Sequence, residues 1–555
     1  MAKYIFVTGG VVSSVGKGIT VASVGRILKS HGLSVSVIKL DPYLNVDPGT
    51  MSPYQHGEVF VTRDGGETDL DLGHYERFID IELTKRANAT SGQVYQSLLM
   101  KERRGDFLGG TIQVVPHLTN EIKRCVRAVA EESKADVVVV EVGGTVGDIE
   151  GLPFLEAIRQ MRRDEGRNNT FYIHVTLLPH IGATGELKTK PTQHSVRELR
   201  SIGIQPDAII CRSDEPVEDS LREKIALFCD VRPEAVIPLI TVSNIYRVPI
   251  ILEQAHLCET ILEDLGIHGT RGDMSQWARL VDEMEQPKEI VPIAVVGKYV
   301  ELPDSYISVK ESLKHAALHS GRRLDIRWIH SEEVERQGPD ALLKDVSGIV
   351  VPGGFGPRGI EGMIATARYA RENNVPYLGL CLGMQVMVTE YARNVLGWSD
   401  ANSTEFNPDS SHPVIYIMPE QENITDKGGT MRLGNYPCRL VPGTLAHRAY
   451  GVDLVDERHR HRYEVNNKYR QQLEEAGLTA SGVSPDGKLV EISEVRGHPF
   501  MLGVQFHPEF RSRPDRPHPL FCAFMAAAKE TLREGAQPPL IRTDMPSEEP
   551  VASKS

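Results

Sequence analysis

Apolar runs alternate with segments of helical spacing along the first half of the chain. The runs are short and rich in β-branched residues, as expected for buried strands of a parallel sheet. They occupy residues 4–7, 34–40, 136–142, 170–176, 207–212 and 235–241. Helical spacing is clearest between them, at 21–28 and 217–229. The alternation predicts an α/β fold with a doubly wound parallel sheet in this half.

The same alternation resumes after a polar stretch in the middle of the chain. A helix is predicted from about 308 to 319, and strands at 291–297, 324–329, 348–354, 377–380 and 500–506. Since 555 residues exceed what one hydrophobic core usually supports, we expect two domains. The shifts in composition predict an N-terminal domain at 1–268, a linker at 269–289, a C-terminal domain at 290–530 and a disordered tail at 531–555.

Composition and charge narrow the classes of function. The chain is 40% hydrophobic and 25% charged, which is ordinary for a globular protein. It contains neither an apolar run long enough to span a bilayer nor a signal-peptide pattern, so we expect a cytoplasmic protein without a membrane partner. The formal net charge of -13 argues against nucleic acid as a partner. The seven cysteines lack C-x-x-C spacing, which predicts neither a disulfide framework nor a zinc knuckle.

The segment from Thr8 to Thr20 has the features of a phosphate-binding loop. It joins a predicted strand to a predicted helix, so backbone N–H groups and the helix N-terminus would converge on a polyphosphate, and Lys17 would add a charge. It departs from the G-x-x-x-x-G-K-[ST] pattern, because Gly18 stands where a hydroxyl would bind Mg²⁺. A metal ion would therefore need carboxylates from elsewhere. The alternative is a tight turn with a purely structural role.

Two acidic segments offer such carboxylates. Residues 58–77 are predicted to form a loop in which Asp69 and Asp71 point the same way if extended, which suits a hard metal ion. The alternative there is a solvated acidic loop. Glu141 ends a predicted buried strand, and a carboxylate in that position beside a phosphate loop is typical of magnesium-binding acids. The lysine-containing segment 185–194 suits a triphosphate, or it is an exposed basic turn.

The second half contains a candidate nucleophile at Gly379-Leu-Cys-Leu-Gly383. Glycines on both sides permit the strained turn that exposes a side chain at a helix N-terminus, where a thiolate is favoured. His507 and Glu509 follow a predicted strand and share a side if extended, so the carboxylate can orient the imidazole. The pattern predicts a catalytic set of Cys381, His507 and Glu509. The basic run at 459–464 suits an anion, although a solvated charge run is the default interpretation.

Four motifs closely resemble those of the CTP synthase family, in the family's order and over nearly the whole chain. They are Gly9-Gly-Val-Val-Ser-Ser-Val-Gly-Lys-Gly18, Lys188-Thr-Lys-Pro-Thr-Gln193, Gly379-Leu-Cys-Leu-Gly-Met-Gln385 and Phe506-His-Pro-Glu-Phe510. The resemblance implies a P-loop-type N-terminal domain and a C-terminal α/β class I glutamine amidotransferase domain. It also implies an ATP-dependent ligase. ATP would phosphorylate O4 of UTP, and ammonia from glutamine, or free ammonia, would displace that phosphate in the last step of CTP synthesis.

The resemblance further implies roles for individual residues. Cys381 would form a thioester with glutamine, His507 would act as base and acid, and Glu509 would orient it. The glutamine site would comprise Gly354, Leu382, Gly383, Met384, Gln385, Glu405 and Arg462, with the N–H groups of the first two stabilising the oxyanion. The ATP site would comprise Ser14, Val15, Gly16, Lys17, Gly18, Ile19, Asp71, Arg212 and Val242, with Mg²⁺ on Asp71 and Glu141. The UTP and CTP site would comprise Ser13, Asp148, Ile149, Glu150, Lys188, Thr189, Lys190, Pro191, Thr192, Gln193 and Lys224.

Several features follow from the resemblance alone. It implies a homotetramer with nucleotide sites at subunit contacts, activation by GTP, and internal passage of ammonia between the domains. This chain carries Thr241 where many relatives carry an acidic residue near the adenine. Without the resemblance, the residues would also allow a regulatory P-loop ATPase, a glutaminase that delivers ammonia to a partner, or a filament-forming scaffold with vestigial catalysis.

Overall fold

The computed structural model describes residues 2–183, 185–268, 271–418, 421 and 428–532. Residues 533–555, which make up most of the predicted disordered tail, lie outside the described residues. Within the described ranges, no helix combines the length and the apolar character needed to cross a membrane.

Strands and helices alternate through the first half, as the hydrophobic pattern predicts. The strands are β1 (Lys3–Gly9), β2 (Val35–Asp41), β3 (Phe60–Val61), β4 (Glu67–Thr68), β5 (Asn88–Thr90), β6 (Val137–Val142), β7 (Thr170–Leu177), β8 (His180–Ile181), β9 (Glu186–Leu187), β10 (Ala208–Ser213) and β11 (Val236–Ile240). The helices are α1 (Lys17–Ser30), α2 (Pro53–His56), α3 (Asp71–Ile79), α4 (Ser91–Arg103), α5 (Thr119–Ser133), α6 (Leu152–Glu165), α7 (Lys190–Ser201), α8 (Asp219–Cys229), α9 (Val248–Gln254), α10 (Leu257–Asp264) and α11 (Ser275–Glu285).

The first sheet has seven parallel strands in the order β11-β10-β7-β1-β6-β2-β5, and apolar clusters cover both of its faces. The doubly wound fold is therefore confirmed. Val7 of the central strand β1 pairs with Glu141 of β6, which pairs in turn with Lys39 of β2. Ligands of open α/β sheets collect at the carboxyl ends of the strands. This register therefore brings the phosphate loop, Glu141 and Lys39 to one place.

The second half is built on a mixed sheet. The strands of this half of the chain are β12 (Ile290–Gly297), β13 (Arg323–His330), β14 (Gly348–Val351), β15 (Tyr377–Leu380), β16 (Asn402–Ser403), β17 (Pro413–Ile417), β18 (Arg432–Leu440), β19 (Leu454–His461), β20 (Tyr463–Val465), β21 (Leu478–Val483), β22 (Val490–Val495) and β23 (Met501–Val504). Its helices are α12 (Ile307–His319), α13 (Ser331–Gln337), α14 (Pro339–Leu343), α15 (Ile360–Asn373), α16 (Leu382–Asn394), α17 (Leu445–Tyr450), α18 (Arg470–Ala476) and α19 (Pro519–Glu530). The sheet order is β13-β12-β14-β15-β23-β22-β21-β18-β19, and β15 ends immediately before Cys381.

The prediction of a loop over residues 58–77 is wrong for the second part of that range, where helix α3 begins at Asp71. The apolar residues Leu72, Tyr75 and Phe78 recur at helical spacing and are buried, so burial of this face stabilises a helix despite the surrounding charges. Asp69 and Asp71 are therefore not on an extended strand. They nevertheless reach the same lysine, as described below.

The predicted linker contains the helix α11, which packs on the core of the first domain. Trp277 is only 3% exposed, and its indole N–H donates to the carbonyl oxygen of Tyr246 at 2.7 Å. The indole ring also lies 5.7 Å from the ring of Phe78, between ring centres, and Arg26 lies over it. Residues 275–285 thus belong, by their packing, to the first domain. The exact domain bounds stay a prediction.

Replacing Trp277 tests whether α11 is part of that core. We expect Trp277→Ala to lower the free energy of unfolding of the first domain by about 3–5 kcal/mol, because a large buried ring is removed. Trp277→Phe keeps most of the ring packing and loses the hydrogen bond, so about 1 kcal/mol is expected. Denaturant unfolding followed by circular dichroism measures both. Equal stability of all three proteins would contradict the assignment.

Candidate active sites

The phosphate loop has the backbone conformation of an anion-binding turn. Val11, Ser14 and Gly16 have positive φ angles of 77°, 55° and 93°, which turn the backbone sharply between β1 and α1. Helix α1 begins at Lys17 without a side-chain cap, so its first N–H groups are available to a ligand. The Lys17 ammonium donates to the carbonyl oxygen of Gly144 at 2.7 Å, which places it at the carboxyl end of β6. This arrangement suits a bound polyphosphate.

The Asp71 carboxylate explains why glycine follows Lys17. A Cβ atom on Gly18 would lie 2.0 Å from Oδ1 of Asp71, so no side chain fits between α1 and the start of α3. The carboxylate thus lies beside the position that a serine or threonine hydroxyl takes in other phosphate loops. The two helices approach closely again at Gly25, where a Cβ atom would lie 2.3 Å from Cδ1 of Ile79. Small residues at both positions permit this packing.

A cluster of carboxylates surrounds two lysines beside the loop. The Lys39 ammonium lies 2.7 Å from Asp69 and 2.5 Å from Asp71, and the Tyr75 hydroxyl donates to Glu141. Burial raises the pKa of Glu141 to about 7 and that of Asp69 to about 6. For Asp71, burial is outweighed by Lys39, which lowers the pKa to about 2. Glu141 and Asp69 thus ionise less readily than usual in this site, whereas Asp71 ionises more readily.

The donor set of this cluster fits a magnesium ion. Its ligand atoms are carboxylate oxygens, which Mg²⁺ prefers, and the carboxylates outnumber the lysines. The acidic members are Asp41, Asp69, Asp71 and Glu141, and the basic members are Lys17 and Lys39. A divalent cation would offset the excess of negative charge. Tyr75 was not predicted to be a site residue. Lys39 lies near the end of the predicted strand at 34–40, a position from which its side chain is expected to reach the phosphates.

Another group of potential ligand atoms lies far from the loop. Within the part of the chain that the structure describes, His31, Glu253 and Cys258 bring one such atom each to within 4.8 Å of the others. His31 caps the C-terminal end of α1, opposite the phosphate loop, and its Nε2 lies 3.0 Å from Glu253. This group therefore takes no part in the phosphate site.

Arg212 and its neighbours border the phosphate loop on one side. The Arg212 guanidinium donates to the carbonyl oxygen of Val15 at 3.3 Å and to the Thr241 hydroxyl at 3.0 Å. That hydroxyl in turn donates to Asp214 at 2.8 Å. Asp214 thus brings a carboxylate next to Thr241 and Arg212. Sequence reasoning missed it because Asp214 lies on a different strand end from Thr241.

The predicted UTP residues are less closely assembled. Residues 148–150 are exposed, and so are Lys190 and Lys224, whereas Thr192 is buried and donates to the Thr176 hydroxyl at 3.1 Å. Lys188 pairs with Glu186 at 2.6 Å. Among the described residues, no hydrogen bond or ion pair joins 148–150 to 188–193 or to Lys224. One chain therefore exposes residues 148–150, Lys190 and Lys224, whereas Thr189, Thr192 and Gln193 are buried.

Cys381 lies in the strained turn that its flanking glycines predict. Its φ and ψ angles are 52° and -99°, a strained conformation at the junction of β15 and α16, and the residue is only 5% exposed. A Cβ atom on Gly379 would lie 2.6 Å from the backbone of Gly383, and one on Gly383 would lie 2.0 Å from the carbonyl oxygen of Val351. Both glycines are therefore required by close backbone contacts. The Gln505 amide, which sequence reasoning missed, donates to the Cys381 sulfur at 3.5 Å.

His507 is held between Glu509 and the thiol. Its Nδ1 lies 2.7 Å from the Glu509 carboxylate, and its ring stacks on Phe510 with ring centres 5.2 Å apart. A Cβ atom on Gly353 would lie 3.0 Å from Cε1 of His507 and 3.7 Å from Cβ of Cys381, so imidazole and thiol face each other there. The buried Nε2 has no hydrogen-bond partner among the described residues. It is the nitrogen left to exchange a proton with sulfur.

The electrostatics favour an imidazolium at this position. Burial disfavours the charge, but the Glu509 carboxylate and the Cys381 sulfur together outweigh it and raise the pKa of His507 to about 10. Glu509 and His507 are joined through a turn, Pro508–Arg511, instead of along an extended strand. A charged imidazolium beside sulfur stabilises a thiolate, which is the nucleophilic form.

A cavity of about 680 Å³ opens beside the thiol. Three of the seven predicted glutamine residues line it, Gly354, Glu405 and Arg462, and so do the catalytic candidates Cys381, His507 and Glu509. Residues between 49 and 59 of the first domain line the same cavity. Glu405 accepts a hydrogen bond from the N–H of Gly356 at 2.7 Å, and Gln385 donates to the carbonyl oxygen of Tyr463 at 3.0 Å. The cavity exceeds the needs of one amino acid and reaches both domains.

The basic run at 459–464 is not solvated, contrary to the default interpretation. His459 and His461 on β19 and Glu464 on β20 are buried, and the Arg460 side chain pairs with Glu67 of the first domain at 2.8 Å. Buried charges of this kind require partners, which here come from Glu491 and from the other domain. Arg462, the predicted glutamine contact, donates to Thr430 at 3.0 Å.

Comparison with known proteins finds two family matches. Residues 3–267 match the model described as CTP synthase N-terminus, and residues 301–527 match glutamine amidotransferase class-I. A protein named CTP synthase from Roseiflexus sp. is 68% identical over 541 residues, which is 97% of each chain. One from Chloroflexus aurantiacus is 66% identical over 98% of this chain and 100% of its own. A solved glutaminase domain of Trypanosoma brucei CTPS with bound acivicin is 45% identical, with a TM-score of 0.41, over 43% of this chain and 94% of that domain.

Gly18→Ala tests the contact between the phosphate loop and α3. The new methyl group would displace the Asp71 carboxylate, so we expect ATP-dependent product formation to fall by at least roughly 100-fold, about 2.7 kcal/mol of barrier. Glutamine hydrolysis without nucleotides should change little, because Cys381 lies in the other domain. Gly25→Ala is the matched control: it adds the same methyl group to the same helix, but against the flexible end of Ile79. Equal losses in both variants would contradict the special role of Asp71.

Proposed function

We infer the roles of individual residues from the premise that this chain belongs to the CTP synthase family. It is an ATP-dependent, glutamine-hydrolysing ligase that aminates UTP to CTP. UTP, ATP and glutamine are its substrates. The single observation that carries the assignment of roles is the strained Cys381 turn beside the His507–Glu509 pair, which opens into a cavity reaching the first domain.

Glutamine hydrolysis is proposed to occur at Cys381. The thiolate attacks the amide carbon of glutamine, and the His507 imidazolium donates its Nε2 proton to the departing ammonia, leaving a thioester. His507 then accepts a proton from water as the thioester is hydrolysed, and Glu509 holds the ring in one orientation. The N–H groups of Gly354 and Leu382 stabilise the oxyanion. Gln385, Glu405 and Arg462 bind the remainder of glutamine, with Gly383 and Met384 in the first turn of α16.

UTP phosphorylation is proposed to occur at the other site. Residues 14–19 wrap the ATP phosphates, and the Lys17 ammonium balances charge on the transferred group. Asp71 and Glu141 would hold Mg²⁺, which supplies charge neutralisation of the phosphates when bound. The Arg212 guanidinium and Val242 border the adenine, with Thr241 and Asp214 beside them. Ammonia then displaces phosphate from C4 of the pyrimidine.

The pyrimidine nucleotide is proposed to bind at an edge that a second subunit completes. The residues involved are Ser13, 148–150, 188–193 and Lys224, several of which are exposed on the single chain. The first domain also exposes apolar surface in a groove lined by Leu44, Val46, Tyr95, Leu99 and Met100. Apolar surface of this kind supports contact with another copy of the chain. We propose a homotetramer in which both features meet.

The cavity between the domains supports an internal route for ammonia. In neutral water ammonia is largely protonated and no longer nucleophilic, so an enclosed passage keeps it reactive. Residues between 49 and 59 of the first domain line the same cavity as Cys381. Activation by GTP and a cytoplasmic location are proposed from family membership alone.

Cys381→Ala tests the division of labour between the domains. We expect glutamine-dependent CTP formation to vanish, whereas added ammonium still supports it within about threefold of the unmodified enzyme. The measurement is the absorbance change on conversion of UTP to CTP with ATP, Mg²⁺ and either nitrogen source. Loss of both activities in a folded variant would contradict the proposal.

Leu99→Glu tests the subunit contact. A charge in the apolar groove should weaken assembly, so we expect a smaller particle by sedimentation and loss of ammonia-dependent CTP formation, with nucleotide-free glutamine hydrolysis retained. Val452→Glu is the control, because Val452 is similarly exposed but lies in the second domain. An unchanged particle size for Leu99→Glu, or an equal effect of both variants, would contradict the proposed contact.

A further inference from the structure

A fully buried carboxylate joins the two domains. Glu76 on α3 is 0% exposed and accepts hydrogen bonds from the Arg458 guanidinium at 2.9 Å and the Arg513 guanidinium at 2.7 Å. Both arginines belong to the second domain and are buried. The N–H of Leu83 also donates to this carboxylate at 2.9 Å. Glu76 therefore holds two charged groups of the other domain in fixed positions.

The same helix carries the carboxylate of the phosphate site. Asp71 begins α3 against Gly18, and Tyr75 of α3 donates to Glu141. Residues 72–79 are buried along the whole helix, so α3 moves as one body. A shift of Asp71 on binding of nucleotide would therefore displace Glu76 as well.

The two arginines flank the turn that carries the catalytic imidazole. The carbonyl oxygen of Arg458 accepts the backbone N–H of His507 at 2.7 Å. The Arg513 guanidinium donates to the carbonyl oxygen of Phe510 at 3.1 Å, and the Phe510 ring stacks on His507. Glu76 thus contacts the residues on both sides of the His507–Phe510 turn.

Electrostatics makes this connection stiff. Separation of Glu76 from either arginine would leave a buried charge without its partner, which is strongly unfavourable in a site that excludes water. Arg77 brings a further positive charge nearby, and its guanidinium donates to Ser308 of the second domain at 3.0 Å. When α3 shifts, the two arginines and the turn between them are therefore expected to move with it, because this keeps the ion pairs intact.

We propose that Glu76 is a positioning residue that couples occupation of the phosphate site to the placement of His507. This inference rests on the proposed function of both sites. With ATP, Mg²⁺ and UTP bound, α3 draws Arg458 and Arg513 into the arrangement in which His507 faces the thiol. Glutamine is then hydrolysed when an acceptor for ammonia is present.

Glu76→Gln tests the coupling, since the amide keeps the shape and loses the charge. Glutamine hydrolysis is measured with and without ATP, Mg²⁺ and UTP at constant GTP, together with CTP formed from ammonium. The unmodified enzyme should hydrolyse glutamine faster with nucleotides. In the variant we expect this stimulation to fall by roughly 2- to 30-fold, the range of coupling changes found along such networks. The amount of glutamate formed per CTP should rise, while CTP formation from ammonium stays within about threefold.

A matched control separates coupling from general loss of stability. Glu390→Gln removes the charge of another fully buried carboxylate, which is paired with Arg371 inside the second domain. It should leave the glutamate-to-CTP ratio and the nucleotide stimulation unchanged. If Glu76→Gln does not fold, Arg513→Lys removes one contact of the same network and should show a smaller shift of the same kind.

Three results would overturn the inference. They are normal stimulation in folded Glu76→Gln or Arg513→Lys, an equal effect of Glu390→Gln, and absence of nucleotide stimulation in the unmodified enzyme. An unmodified enzyme that forms no CTP from ammonium would instead contradict the proposed function itself. The two failures are therefore distinguishable.

Discussion

The contact between the Asp71 carboxylate and Gly18 is the constraint on which the first domain depends. It fixes the start of α3 against the start of α1, and only a residue without a side chain allows that distance. It also sets the carboxylate beside Lys39 at the carboxyl end of the sheet. The loop, the acids and the charge on Lys17 are consequently one structural unit, although they come from distant parts of the chain.

The periodicity of the sequence was sufficient for six of the seven strands of the first sheet, because buried parallel strands are continuous apolar runs, but not for the short edge strand β5. The same periodicity did not predict the helix α3. Charged residues and a glycine between Leu72 and Phe78 obscured the apolar face that packs against the core. The helix inside the predicted linker was hidden for a similar reason. Trp277 is the main buried anchor on a mostly polar segment, and its partner Tyr246 is remote in sequence.

The second domain shows the same division between local and long-range information. The turn at Cys381 follows from two glycines at fixed spacing, which is a local signal. The burial of Arg458 and His459 does not follow from any local signal. A run of charged residues is solvated unless the fold brings distant carboxylates to it, as it does here with Glu76 and Glu491. Long-range charge pairing of this kind leaves no periodic trace in one sequence.

Because α11 packs on the first domain and ends at Glu285, the second domain is tethered by very few residues before β12 begins at Ile290. An extended chain spans at most about 3.6 Å per residue, so this connecting segment is short compared with the size of either domain. Wide swinging or exchange of the second domain with a neighbouring molecule is therefore geometrically restricted. The glutamine site and the phosphate site consequently stay close together during turnover, which gives each site a high effective concentration with respect to the other.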